Sequence, residues 1–331
     1  MVRIAIIGAG FSGMATAWHL LKLEKDLEVV VFDSVGIGAG ASGIAAGLLH
    51  PYAGAHGKQN RYALEGMEAT WQLIKHAEKA LGKPVCQRSG LLRLALTDQQ
   101  HQDFFLSSQK YQDVSWYTSE QCHILDPALP NKPGLFIHSA VSIDPLLYLQ
   151  GLWLDCQQHS ICFEQKKVTN LKELQGFDHI VLSVGSAWKL FPEMAHLPLT
   201  PIKGQILEFE WEHASPLPCP LNSQAYLIMH PSKNSCMAGA TFERDFEHSE
   251  PCLEVAVKDI MPKAKELYPS LERRKILDCK AGIRVSTPDH LPRVDKVAEN
   301  CWAITGMGSK GLLYHALFAK RLALSLLHQY M

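Results

Sequence analysis

The chain of 331 residues holds nine cysteines, and no two of them are spaced as CxxC. Scattered and odd in number (Cys86, Cys122, Cys156, Cys162, Cys219, Cys236, Cys252, Cys279, Cys301), they argue against a zinc knuckle and a secreted disulfide framework. The expectation is a reduced, cytoplasmic compartment with most cysteines acting as small core residues. Charge of either sign is not in excess: 32 Lys and Arg face 33 Asp and Glu, and the pI is about 7.0. Nothing in that balance calls for a polyanionic partner. No apolar run reaches the roughly 18 residues of a membrane span, so none is expected. The apolar start, MVRIAIIGAGFSGMATAWHLL, has Arg3 as its only positive side chain before the glycines break it, unlike a signal peptide. Low-complexity tails, solenoid repeats, Ser/His/Asp or HExxH patterns and metal-ligand spacings are also missing.

What is present is an ordinary globular balance, 47% apolar and 20% charged, long enough for two lobes or one large α/β domain. Val2 to Ile7 reads as a buried strand, residues 11 to 23 as a helix and Glu28 to Phe32 as a second strand, a right-handed parallel unit. Helical spacing of apolar residues covers Asn60 to Leu81. Leu91 to Leu96 reads as a strand, Asp98 to Lys110 as a polar helix and Asp126 to Pro133 as a loop. Asp144-Pro145 caps a helix that runs to Gln158. Short strands resume at Ile161 to Val168 and His179 to Ser183. From Pro201 strands dominate (Gln205 to Trp211, Ala225 to Met229, Ser235 to Ala240), followed by a helix near Leu253 to Tyr268. The chain closes with a strand at Trp302 to Thr305, a glycine loop, and a helix from Gly311 to about Gln329.

This order predicts an α/β protein with an α+β second lobe. A Rossmann-type nucleotide domain would be assembled from segments 1–81, 139–199 and 276–331, and a mainly antiparallel substrate domain from 82–138 and 200–275.

Gly8-Ala9-Gly10-Phe11-Ser12-Gly13 fits G-x-G-x-x-G between a strand and a helix, and Asp33 ends the next strand twenty residues after Gly13. The glycines permit a tight turn, a backbone approach to a pyrophosphate and close helix–strand packing, while the helix N-terminus faces the phosphate charge. Asp33 would accept hydrogen bonds from an adenosine ribose and repel a 2′-phosphate. After Asp33 the chain enters a bare stretch, Gly38 to Pro51, GAGASGIAAGLLHP, suited to laying backbone against a ligand's phosphate and ribitol. A simple NAD enzyme would instead continue into further βα units. Gly306-Met307-Gly308-Ser309-Lys310-Gly311 opens a second helix whose N-terminus can face an anionic ring. Together these features favour a flavin over a nicotinamide.

With these residues assembled, the chain resembles the D-amino-acid oxidase family of FAD enzymes, which includes glycine and sarcosine oxidases. The resemblance rests on GAGFSG with Asp33; Ala41-Ser42-Gly43 with Gly47 and Pro51; Ser142-Ile143-Asp144-Pro145; and Val181-Leu182-Ser183-Val184-Gly185-Ser186. It continues through Pro201-Ile202-Lys203-Gly204-Gln205, Gly239-Ala240-Thr241, Gly282-Ile283-Arg284, Thr287-Pro288-Asp289, Leu291-Pro292 and the closing loop. Ala41-Ser42-Gly43 through Pro51 and Gly308-Ser309-Lys310-Gly311-Leu312 are most similar to the flavin half of the bifunctional enzyme that matures the wobble-uridine side chain of tRNA. The methyltransferase half is expected to be absent, because the fingerprint begins within ten residues of Met1, and a stand-alone relative need not share the tRNA substrate.

The resemblance implies non-covalent FAD, held by Gly8, Gly10, Phe11, Ser12, Gly13, Asp33, Ser34, Ala41, Ser42, Ala46, Gly47, Leu48, Val168, Gly185, Gly306, Gly308, Ser309, Lys310, Gly311 and Leu312. It implies oxidation of a C–N bond in a small carboxylate-bearing amine, such as glycine, an N-substituted glycine or a D-amino acid. A hydride passes to flavin N5, water hydrolyses the resulting imine, and oxygen or another acceptor takes the electrons. Arg284 is the candidate carboxylate clamp. Tyr226, His50 and Lys310 are further candidates on the substrate or ring side, and Lys203 is either similar or structural. Gly282 stands where sarcosine oxidases carry the cysteine that tethers flavin, leaving Cys279 as a remote exception. Asp295 replaces a glycine usual in relatives and is expected to alter a turn near the cofactor or add negative charge. The alternatives are a tRNA-modifying flavoenzyme, served by basic residues Lys263, Lys265, Arg273, Arg274, Lys275 and Lys280, and a non-catalytic FAD-binding partner protein.

Overall fold

The computed structural model describes residues 1–212, 215–230 and 233–327. Val2–Ile7 forms the centre of a six-stranded sheet ordered Arg293–Ala298, Cys301–Thr305, His179–Leu182, Val2–Ile7, Leu27–Asp33 and Ile161–Gln165. Its pairings are parallel except at the Arg293–Ala298 edge. Parallel strands covered on both faces need continuous apolar runs, which is why VRIAII and LEVVVFD do not alternate. Helices Phe11–Leu23, Ala63–Leu81, Pro145–Cys156 and Gly311–Leu327 cover one face, closing a core that includes Met14, Trp18, Leu73, Leu149 and Leu322. Short 3-10 turns and loops cover the other, around Phe32, Ile180, Phe191 and Leu197.

The second sheet has eight strands, ordered Ile276–Ser286, Thr200–Glu210, Ser235–Gly239, Tyr226–Met229, Leu221–Asn222, Leu91–Leu94, Gly134–Ile137 and Val114–Tyr117. All neighbours are antiparallel except Leu221–Asn222 with Leu91–Leu94. Helix Leu253–Leu267 lays Ala256 and Ile260 on this sheet against Leu207, Phe209 and Leu227. A small three-stranded sheet (Leu48–Leu49, Val141–Ile143, Cys86–Gln87) ties the bare stretch to both ends of the middle segment.

Several elements differ from the sequence reading. Ile276–Ser286 pairs with Thr200–Glu210 along nearly its whole length, so the eight-stranded sheet continues past the boundary expected at residue 275. ILDCKAGIRVS mixes charged and small residues and lacks a clean two-residue alternation. Ser119–Leu125 is a helix announced by a capping box, in which Thr118 and Gln121 exchange side-chain and backbone hydrogen bonds. Asp295 lies within the edge strand Arg293–Ala298, in register with Ala303, and so does not form a turn near a cofactor. The last helix is described to Leu327; its expected end near Gln329 lies outside the described residues.

Two buried histidines join these helices. His315 Nε2 lies 2.7 Å from the Tyr148 hydroxyl and its Nδ1 3.0 Å from the Gly311 carbonyl, while His19 Nε2 lies 3.1 Å from the Ala316 carbonyl. Burial pushes both pKa values down to about 4. The unfolded chain therefore binds more protons than the folded one between about pH 6.5 and 4, and stability is lost as pH falls through that window. Each site contributes on the order of 3 kcal/mol when the drop is complete. Thermal unfolding of FAD-loaded protein between pH 7.5 and 4.5 should show a steep acid loss that His315→Asn flattens; an unchanged slope in the variant contradicts this account.

Candidate active site

The fingerprint loop sits at the carboxyl edge of the six-stranded sheet, where the strand Val2–Ile7 hands over to helix Phe11–Leu23. A Cβ on Gly13 would stand 1.9 Å from the Gly8 carbonyl oxygen, so the third glycine is the condition for the helix to pack this close to the turn. The Ser183 hydroxyl, at the end of the neighbouring strand, is 2.8 Å from both the Ile7 and Gly8 carbonyl oxygens and braces the turn from below. Asp33 accepts hydrogen bonds from the backbone N–H groups of Ala9 (2.9 Å), Val35 (3.0 Å) and Gly36 (3.1 Å). It ties the fingerprint to the loop that follows the second strand.

The bare stretch folds back over this turn. Ala41–Ile44 makes one short helical turn, and Ser42 Oγ accepts the Phe11 N–H at 3.1 Å, placing its hydroxyl at the start of the first long helix. Gly47 has φ +83°, and a Cβ there would lie 1.9 Å from the Ile143 carbonyl oxygen. The stretch thereby runs backbone-first along a cavity of about 440 Å³.

Gly10, Phe11, Ser12, Ala41, Ser42, Ala46, Gly47, Leu48, Gly185, Gly306, Gly308, Ser309, Lys310, Gly311 and Leu312 all line this cavity. His50, Tyr226 and Arg284 line it too. Gly8, Gly13, Asp33, Ser34 and Val168 do not: the first three shape its floor, Ser34 is exposed, and Val168 is buried in the core on the sheet's other face. Lys203 is buried in its strand outside the cavity. Cys279 also stays outside, its Sγ 3.8 Å from Gln205 Oε1, whereas Gly282 is in the wall.

Charge in the wall is of one sign. Among the described lining residues there is no Asp or Glu, while Arg284 and Lys310 both face in. Strand pairing sets Arg284 opposite Ile202, and its guanidinium lies over Gly204, where a Cβ would come within 2.7 Å of Nη2. Nη2 donates to the Thr241 carbonyl at 3.1 Å, and burial holds the pKa of the group below its ordinary value. Tyr226, in register with Gly239, has its phenol pushed up by burial. His50 is buried, with Nδ1 lacking a hydrogen-bond partner, and burial pushes its pKa down to about 3, helped by the nearby Arg93 charge. Arg93 holds the loop beneath it by donating to the carbonyls of Tyr52 (2.8 Å) and Gly54 (2.7 Å). Lys310 Nζ lies 3.4 Å from the His290 carbonyl, and partial burial lowers its pKa.

The sequence reading did not single out Ala53, Gly54, Asn222, Gln224 and Phe242, which also line the cavity. They come from loops and strand ends with no motif of their own. Gly204 and Thr241 lay inside the quoted motifs PIKGQ and GAT, a usable signal for the second wall.

The site accommodates an extended dinucleotide: a glycine turn suited to a pyrophosphate, a backbone wall of glycines and small residues, and a lining histidine, His50, whose buried Nδ1 lacks a partner. A Rossmann-type sheet feeding a cavity shared with a large antiparallel sheet defines the class, a two-sheet flavin-dependent oxidoreductase. The chain belongs to the DAO family, "FAD dependent oxidoreductase", whose model matches residues 3–324, and FAD is its cofactor. It is 24% identical over 322 residues to glycine oxidase of Bacillus licheniformis, covering 89% of this chain and 84% of the relative. It is also 24% identical over 340 residues to the tRNA 5-methylaminomethyl-2-thiouridine biosynthesis bifunctional protein MnmC of Maricaulis maris, covering 98% of this chain and 52% of that protein. The chain thus spans about half the length of the MnmC relatives it matches. The solved glycine oxidase of Geobacillus kaustophilus superposes with a TM-score of 0.85 at 20% identity, covering 99% of this chain and 95% of that one, a likeness of fold. No helix among the described residues is long and apolar enough to cross a membrane.

Gly47→Ala puts a side chain into backbone at a left-handed position and should cost at least about 2 kcal/mol of stability, together with FAD content. Gly204→Ala meets only the mobile end of Arg284, so it should keep FAD and fold while displacing the guanidinium. Flavin-to-protein absorbance ratio and melting temperature check both; equal losses in the two variants would contradict this distinction.

Proposed function

We propose that the chain oxidises the C–N bond of a small amine carrying a carboxylate: glycine, an N-substituted glycine or a D-amino acid. The observation that carries this reading is Arg284, a partly buried cation in a cavity wall without acids, with guanidinium donors left over after Thr241. A carboxylate of the substrate completes it through paired charge-assisted hydrogen bonds and so fixes the α-carbon. Arg284 thereby acts as the clamp, while Tyr226 closes the wall beside it and excludes water. Lys310 supplies positive charge at the closing loop, and His50 offers a neutral nitrogen from the opposite loop. The glycines and small residues from Gly8 to Leu48 and from Gly306 to Leu312 hold FAD without a covalent link. When bound, FAD supplies a two-electron acceptor for the hydride leaving the carbon next to nitrogen. The imine so formed is hydrolysed by water to the free amine or ammonia and an oxo acid. In this reading the six-stranded sheet with its helices is the cofactor lobe and the eight-stranded sheet the substrate lobe.

His50, held near a pKa of 3, is too weak a base to take the ammonium proton, and the cationic wall disfavours an ammonium. The amine must arrive neutral. kcat/KM should therefore rise with pH in step with the free-amine fraction of each substrate. A plateau at a pH common to all amines would reveal an enzyme base and contradict this.

The deciding experiment mixes FAD-loaded protein anaerobically with glycine, sarcosine, other N-substituted glycines and D-amino acids, and follows bleaching of the flavin. At least one should reduce it; a silent panel overturns the reading. Arg284→Leu should lower kcat/KM for the responding amine roughly 100-fold or more. Subsequent exposure to air tells oxidase from dehydrogenase.

A second reading takes the amine to be the carboxymethylaminomethyl arm of a tRNA wobble uridine, itself an N-substituted glycine. Its support is the likeness to MnmC and the Gly308–Leu312 loop. Against it, several basic residues nominated for RNA already have acidic partners: Lys263 pairs with Asp259, Lys265 with Glu272 and Lys280 with Glu208. Unchanged wobble-uridine modification in a deletion strain would remove it.

A further inference from the structure

The Arg284 guanidinium rests on one protein acceptor that the structure pins from several sides. That acceptor is the Thr241 carbonyl, at 3.1 Å from Nη2. The Thr241 N–H donates to the Gln205 carbonyl at 3.1 Å, and its hydroxyl oxygen accepts the Gln205 N–H at 2.9 Å. The same hydroxyl donates its proton to Glu243 Oε1, which also accepts from Gln205 Nε2 at 2.9 Å. Glu243 is in turn clipped to the strand by a reciprocal backbone pair with Lys203, 2.9 Å and 3.0 Å. Gln205 Oε1 is taken up by the Cys252 N–H at 2.6 Å. Gln205 and Thr241 are fully buried, so each of these groups must be paired inside the protein.

Resting on the carboxylate-amine reading above, we infer that Glu243 is a positioning residue for substrate specificity. It fixes the Thr241 hydroxyl and the Gln205 side chain, and thereby aims the Arg284 guanidinium at the substrate carboxylate. Glu243 does not line the cavity and forms no ion pair with Arg284. Its action passes through hydrogen bonds that need only an acceptor oxygen at Oε1. A guanidinium clamp is directional, and a tilt of the planar fork breaks the second of two parallel bonds. Removing the acceptor at Glu243 leaves the Thr241 hydroxyl proton and the Gln205 side-chain N–H without an acceptor, which drives the segment carrying the Thr241 carbonyl to rearrange.

The test compares Glu243→Ala, Glu243→Gln and Thr241→Val in FAD-loaded protein. Two readouts are taken: steady-state kinetics with the responding glycine-type amine, and binding of acetate followed by the shift it causes in the flavin absorption band. Glu243→Ala should raise both KM and the acetate Kd roughly tenfold, equivalent to about 1.4 kcal/mol, with kcat within about twofold. Glu243→Gln keeps an oxygen at Oε1 and should restore both to near the starting values. Thr241→Val keeps the shape, lacks the hydroxyl and should reproduce Glu243→Ala, which keeps the question open to test even if the alanine variant folds poorly. Unmoved KM and acetate Kd in Glu243→Ala and Thr241→Val overturn the inference while leaving the amine reading intact. A fall confined to kcat, or a glutamine variant as impaired as alanine, also overturns it. Starting protein that neither binds acetate nor is reduced by the panel overturns the amine reading, and this inference with it.

Discussion

The close crossing of backbone at the carboxyl edge of the six-stranded sheet is the constraint on which the rest depends. Gly13 lies against the Gly8 carbonyl and the Ser183 hydroxyl holds that turn from the neighbouring strand, while Gly47 lies against the Ile143 carbonyl where the bare stretch joins the small three-stranded sheet. No side chain fits at these contacts. Because backbone meets backbone there, the start of the first helix and the bare stretch converge on one space, and the helix dipole and free N–H groups face it. The four packed helices behind the sheet serve to keep that convergence rigid.

Across the cavity a different principle operates. The eight-stranded sheet contributes side chains where the first sheet contributes backbone. Arg284, opposite Ile202 on a paired strand, and Tyr226, opposite Gly239, are carried on rigid ladders whose register sets their height in the wall. Rigid strands are good carriers for a clamp, since small displacements of a reacting carbon are costly in rate. The absence of acids in the described lining leaves two cations to act on anionic groups of ligands. The neutral, buried His50 adds no competing charge. A non-catalytic role fits poorly with membership in a family of FAD-dependent oxidoreductases.

Much of the nucleotide side was legible because its signals are local. GAGFSG needs only its own strand and helix to act, and Asp33 follows at a fixed distance along one βαβ unit. The Asp144-Pro145 cap and the Gly311 helix start were readable for the same reason. The substrate side was legible mainly by resemblance. Nothing in ILDCKAGIRVS announces an eleven-residue strand, and nothing in Asn222, Gln224 or Phe242 announces a cavity wall. Asp295 shows the reverse case: a glycine replaced by aspartate suggested a turn, but pairing with Ala303 makes the position a strand, where a glycine is not required.

By itself the sequence determined the α/β class and the dinucleotide turn, because these follow from periodicity, glycine spacing and short-range capping; the residues expected to hold FAD came with the family resemblance. Only the tertiary structure decided which of those residues share a space. It set Arg284 over Gly204 with the Thr241 carbonyl behind it, and it turned Asp33 to bind the backbone of Ala9, Val35 and Gly36. The physical reason is that strand register joins segments more than a hundred residues apart, and no local preference encodes which ones meet.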